Sequence, residues 1–237
     1  MPSRKPIATA RVRTEWQRRI GVEYHSAAIS QHLGLWLIQM GASPDLVRLS
    51  ARIVDDELLH AELAAKVTLA AGGEPTVLDR ATLTLKRDAS LPLEHDVLRA
   101  CLGTFCLGET VAVPLFAALR GPCTVPVARR ALDRILRDEV RHRDFGWTLL
   151  GWLLEQPSGA ELRSRVTREL PAYLATLRAT YDVAGHGDDA CDEGERAWGI
   201  MPRGAYRDVL RASIKRGFLP RFAKLGIDAR ALLSERS

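Results

Sequence analysis

Cysteine is scarce in this 237-residue chain: there are four, Cys101, Cys106, Cys123 and Cys191, and no two have Cys-x-x-Cys spacing. That is too sparse for a disulfide framework in a chain this long, so all four are expected to be reduced thiols. Long apolar runs are missing too. The runs near residues 33–38 and 147–154 fall well short of the roughly 18 residues a membrane span requires, and no span is expected. Residues 1–13 are basic but have no apolar run behind them, which does not suit a secretory signal and makes the cytoplasm the expected location. Alternating apolar and polar positions, the mark of a strand, occur only in short pieces.

What is present is helical spacing almost everywhere, in a chain that is 46% hydrophobic and 27% charged. The fold class expected is all-α. A first helix covers about residues 14–40 and stops at Gly41; Ser43 and Pro44 open a second, which ends at Gly72 and Gly73. Residues 74–92, with Pro75 and Pro92, read as non-helical. A connection that long needs a reason, and a crossover along a bundle supplies one. Helices of about 26 residues are roughly 40 Å long, a distance that about 19 extended residues can cover. A third helix follows from 93 to 119 with Pro114 expected to kink it, then a turn at Gly121, Pro122 and Pro126, and a fourth helix from 127 to 155. The expected architecture is a four-helix bundle with a long crossover between its second and third helices. Residues 14–155 form it, and residues 156–237 form a C-terminal helical extension packed on it, with helices at 159–181 and 203–225.

The net charge of +5 is local. Residues 182–196 hold six acids against Arg196, whereas residues 201–237 hold nine Lys or Arg against three acids. Arg203, Arg207, Arg211 and Lys215 recur at steps of four, forming a basic stripe on one helix face. A solvated face is the expected reading, and nucleic acid is not an expected partner. Gly185, Gly187, Gly194 and Gly199 mark the acidic loop as a surface linker with the composition of a lid.

Two segments share one spelling: Asp56-Glu57-x-x-His60 and Asp138-Glu139-x-x-His142. Residues three apart share a helix face, so each segment aims a carboxylate and an imidazole at one point. A carboxylate-rich dimetal centre then needs one further inward Glu from each remaining helix. Glu23 stands 34 residues before Glu57, and Glu109 stands 30 residues before Glu139, which makes the halves pseudo-repeats. Glu15 lies about two turns from Glu23 and Glu62 leaves the shared face, so neither joins the set. The candidate metal ligands are Glu23, Glu57, His60, Glu109, Glu139 and His142. Carboxylate and imidazole donors without thiolate suit iron or manganese better than structural zinc. Cys106, three residues before Glu109, is expected to shape the pocket. Phe105, Phe116, Phe145 and Trp147 are expected to line the core, and Tyr24 and Tyr206 to serve in packing or at the surface. His25, His32, His95 and His186 suggest no partner.

This pattern resembles the ferritin-like di-iron carboxylate superfamily. Asp138, Glu139, Val140, Arg141 and His142 read as the Asp-Glu-x-Arg-His signature of bacterial multicomponent monooxygenases, and Asp56 to His60 is its partner with Leu59 in place of Arg. The resemblance covers residues 14–155. In size and tail the chain is similar to single-domain oxygenases such as the aldehyde-deformylating oxygenases, although the interval from Glu23 to Glu57 is longer than theirs. The resemblance implies two iron ions, or a mixed manganese and iron pair. It also implies that Asp56 hydrogen-bonds His142 and that Asp138 hydrogen-bonds His60, a carboxylate on the far ring nitrogen fixing the tautomer.

The function expected first is a non-heme di-iron oxidoreductase that uses O₂ to oxidise or hydroxylate a small organic, apolar substrate. An external electron donor supplies it, and the chain acts as a monomer or homodimer. The rival readings are ferroxidase, iron-handling or peroxide-scavenging activity, and a tRNA-modifying hydroxylase that grips phosphates with the basic stripe.

Overall fold

A computed structural model describes residues 6–75, 78, 81, 83–182 and 190–230. Part of the expected crossover (76, 77, 79, 80 and 82), most of the acidic loop with Gly185, His186 and Gly187, and residues 231–237 lie outside the described residues. Seven helices and no strand occur among those described. They are α1 (Ala10–Gln39), α2 (Pro44–Ala70), α3 (Leu93–Arg120), α4 (Pro126–Glu155), α5 (Gly159–Asp182), α6 (Glu193–Ala197) and α7 (203–224). The chain is all-helical, as its spacing predicts.

Helix ends follow local chemistry. Thr9 caps α1 by accepting from the Val12 N–H, so α1 starts at Ala10, four residues before the expected start. Ser43 caps α2 by accepting from Leu46 N–H, with Pro44 in the first turn where its missing donor costs nothing. Gly41 and Gly72 close α1 and α2 in the left-handed region, with φ of 70° and 76°.

The helices form two compact units, each discontinuous in sequence. The first comprises Met1–Lys86, Phe116–Glu139 and Ala190–Pro202. Within it α1 and α2 pack along each other as an antiparallel hairpin. Gly34 allows the close approach: a Cβ there would meet Ser50 Oγ at 3.0 Å, and that hydroxyl donates to the Ser30 carbonyl. Val12, Trp16, Leu33, Leu37, Ile53, Leu132 and Trp198 are fully buried or nearly so. Residues 190–202 are tied in by polar contacts. Trp16 Nε1 donates to the Trp198 carbonyl at 2.9 Å, Trp198 Nε1 donates to Pro6, and the N–H groups of Thr124 and Val125 donate to Ala197.

The second unit comprises Arg87–Leu115, Val140–Asp189 and Arg203–Ser237. Here α5 packs on the start of α7. Phe105 and Phe145 meet edge to face with centroids 5.1 Å apart, as do Trp147 and Phe222 at 4.9 Å. Trp147 Nε1 donates to Thr110 Oγ1, and a Cβ on Gly217 would stand 2.5 Å from Thr110 Cγ2, so α7 approaches α3 where only glycine fits.

Two helices carry an inserted π turn, at Cys101–Gly108 in α3 and Ile214–Phe218 in α7. Helix α3 is long and apolar enough to cross a membrane by length and composition. A core helix meets the same description, and half of that apolar window is buried. The side chains of Arg203, Arg207, Arg211 and Lys215 are all exposed on α7.

Candidate metal centre

In the first unit, α1 supplies Glu23, α2 supplies Asp56, Glu57 and His60, and α4 supplies Arg134, Asp138 and Glu139. Five carboxylates are thereby taken almost completely out of water: Glu23, Asp56, Glu57, Asp138 and Glu139 are each 2–4% exposed. Burial of that much like charge is prohibitive unless cations or protons accompany it.

His60, wholly buried, stands at the centre. Its Nδ1 lies 3.4 Å from Glu57 Oε2, 3.8 Å from Glu23 Oε2 and 3.9 Å from Glu139 Oε1. Its Nε2 lies 3.3 Å from Asp138 Oδ2. The two ring nitrogens therefore meet different surroundings. An ionised Asp138 can only accept, so it holds the proton on Nε2 and turns the Nδ1 lone pair toward the three glutamates. Glu23, Glu57 and His60 each place a potential ligand atom within 4.8 Å of the others.

Arg134 fixes the state of Asp138. Its Nε donates to Asp138 Oδ2, and its NH2 group donates to Asp56 Oδ1 at 3.3 Å. Burial pushes the Asp138 carboxyl up, but hydrogen bonds from Arg134 and His60 outweigh it and the pKa lies below the ordinary carboxylate value. Glu23 goes the other way. Burial, the charges of Glu57 and Glu139 and a hydrogen bond shared with Glu57 raise it well above its usual range, and Arg19 opposes this only in part. Asp138 thus favours its anionic form, and Glu23 favours its neutral, protonated form.

The second unit holds the remaining candidates. Glu109 is 7% exposed and His142 is wholly buried, with a carboxylate oxygen and a ring nitrogen within 4.8 Å of each other. Glu109 directly follows the π turn of α3, and such insertions recur at functional sites because the extra residue re-aims the side chains that follow. Glu139 and His142 stand one turn apart on the unbroken α4. The rejected acids lie elsewhere: Glu15 pairs with Arg18 and Glu62 with Lys66, both toward solvent.

The donor set fits a divalent cation. An imidazole nitrogen of fixed tautomer, three surrounding carboxylates and excess buried negative charge are what a hard or borderline metal ion requires.

Arg134 was not found by reading the sequence, although it precedes Asp138 by four residues, the spacing of a helical ion pair. Arg19 was missed too; it is buried one turn before Glu23 with its guanidinium 4.3 Å over the Trp16 ring. His95, for which sequence offered no partner, lies 3.3 Å from Glu161 and 2.7 Å from an Arg165 nitrogen.

No known protein family matches this chain, and no curated protein is detectably similar to it in sequence.

Proposed function

We propose that this chain is a cytoplasmic non-heme di-iron oxidoreductase of the ferritin-like kind, which uses O₂ to oxidise or hydroxylate a small organic substrate. In this reading α1 to α4 form the four-helix bundle, with the crossover between α2 and α3, and α5 to α7 are added to it. The observation that carries it is the grouping of Glu23, Glu57 and Glu139 about His60 Nδ1, with Nε2 directed at Asp138. Glu109 and His142 complete the ligand set on the argument of helix continuity: Glu139 and His142 share one face of α4, as Glu57 and His60 share one face of α2.

Two iron ions held there would supply the electrons with which O₂ is reduced. The chain's own part is positional. Asp138 holds the His60 ring in the tautomer that presents Nδ1, and Arg134 keeps Asp138 ionised. Asp56, hydrogen-bonded to the same Arg134, holds that guanidinium from its second side. Phe105 and Phe145, one helical turn from Glu109 and His142 in sequence, keep the neighbourhood apolar and restrict water.

The experiment is O₂ uptake by protein reconstituted anaerobically with ferrous iron and supplied with a chemical reductant. The reading predicts iron-dependent uptake that Glu23→Gln and His60→Ala abolish while helicity is retained. Uptake equal in wild type and both variants would overturn it. Loading of dozens of iron atoms per chain would instead favour iron storage.

A further inference from the structure

Cys101 and Cys106 bracket most of the π turn in α3. On an α-helix, residues five apart point about 140° away from each other. The wider π repeat brings positions i and i+5 onto one side, and the two Sγ atoms stand 3.8 Å apart. Both thiols donate to the same acceptor, the Gly146 carbonyl of α4, at 3.3 Å and 3.2 Å. Gly146 is what lets that carbonyl come so close, because a Cβ there would lie 2.6 Å from Phe105 backbone and side-chain atoms. Neither sulfur is reachable from solvent: both residues are wholly buried.

We propose that Cys101 and Cys106 are a redox modification site, a dithiol that closes to an intramolecular disulfide when hydrogen peroxide reaches it. Either thiol can react first, and the course is the same from Cys101 as from Cys106. Starting from Cys106, its sulfur attacks one peroxide oxygen and the O–O bond breaks. The departing hydroxide takes up the thiol proton and leaves as water, and Cys106 becomes a sulfenic acid. The Cys101 sulfur then attacks the Cys106 sulfur, the S–O bond breaks, and the second hydroxide leaves as water with the Cys101 proton. Two thiols lose two electrons in all, and one peroxide becomes two waters.

The geometry favours the second step over further oxidation. The sulfurs must close by roughly 1.8 Å to reach a bond of about 2.05 Å, and a partner already in contact acts at very high effective concentration. Burial, the main cause, pushes the Cys106 pKa well up, and the enclosure of both sulfurs keeps bulky reagents out. A small neutral oxidant that enters as the helices breathe is the class of reagent that fits. The proposal is independent of the metal reading, although Cys106 lies only three residues before Glu109.

The test is stepwise peroxide treatment of the folded full-length protein, then unfolding, alkylation, trypsin digestion and mass measurement. Cys101 and Cys106 fall in one peptide, residues 100–120. That peptide is expected to become lighter by two hydrogens, to resist alkylation and to regain both thiols with dithiothreitol. In Cys101→Ser, Cys106 is expected to stop as a sulfenic acid trapped by dimedone, or to proceed to sulfinic acid. A peptide that keeps two alkylatable thiols while Cys123 or Cys191 oxidises would overturn the proposal. So would oxygen addition without disulfide in the wild type, and the wild-type result decides even if the variant does not fold.

Discussion

Asp138 Oδ2 lies 3.3 Å from His60 Nε2, across 78 residues of sequence, so the aspartate of one repeated segment meets the histidine of the other. The contact decides which nitrogen of His60 is left for a ligand. Asp138→Asn is therefore expected to weaken binding of the first metal ion about 10- to 100-fold, the usual effect of removing a carboxylate behind a ligating histidine. Competition against a chromophoric chelator measures it. Unchanged affinity would remove Asp138 from its orienting role.

Arg134 serves two buried acids at once, so its loss leaves both Asp56 and Asp138 without that guanidinium. Arg134→Met should destabilise the metal-free protein by about 1–3 kcal/mol, the cost of removing one partner from buried polar groups. Urea midpoints at neutral pH provide the comparison. A variant as stable as wild type would show that the mostly exposed Arg137, 3.5 Å from Asp138 Oδ1, is enough alone.

Cys123 gives a pH dependence of known sign. Its thiol donates to the Ala197 carbonyl at 3.3 Å, and burial pushes its pKa from 9.0 up to about 11. A pKa raised by folding means stability that is complete below the unfolded value and lost as pH climbs through the folded one. Wild type should thus lose stability between pH 9 and 11 relative to Cys123→Ala. Parallel stability curves for the two proteins over that window would contradict the assignment.

Gly146 admits no side chain. An added Cβ would stand 2.6 Å from Phe105 and 2.9 Å from the Cys106 nitrogen, so Gly146→Ala must displace backbone. The expected loss is about 1–3 kcal/mol, typical of overpacking. An unaffected urea midpoint would mean that α3 and α4 separate there at little cost.

Much of the fold was legible because its signals are local. Gly41, the Ser43-Pro44 start, Gly72 and the two Asp-Glu-x-x-His segments each act within a turn of chain, and the helices other than α6 fall within a few residues of their expected limits. Helix α6 lies in the stretch read as a surface linker, where Glu195, Ala197 and Trp198 are instead buried. The π turn at Cys101–Gly108 was not legible. Its segment is apolar nearly all round, so an inserted residue leaves no break in periodicity. Partners far apart in sequence were hidden for a different reason. His95 meets Glu161 and Arg165 only once α5 has docked, and docking depends on packing that no local pattern encodes. In the buried cluster, residue types and spacing pointed to the carboxylates that the structure groups around His60, and the resemblance implied the Asp138 contact to its ring. That Nδ1 is the nitrogen facing the three glutamates, and that Asp56 meets Arg134, required coordinates.

The central claim is that the buried carboxylates and histidines hold two metal ions per chain, and its most direct test is to count them. Anaerobic titration of the chelator-stripped protein with ferrous or manganous ion, followed by desalting and elemental analysis, should give two ions per chain. Glu57→Gln and His60→Ala should lower that count while circular dichroism stays helical. Wild-type protein that is fully helical and retains no transition metal would contradict the account.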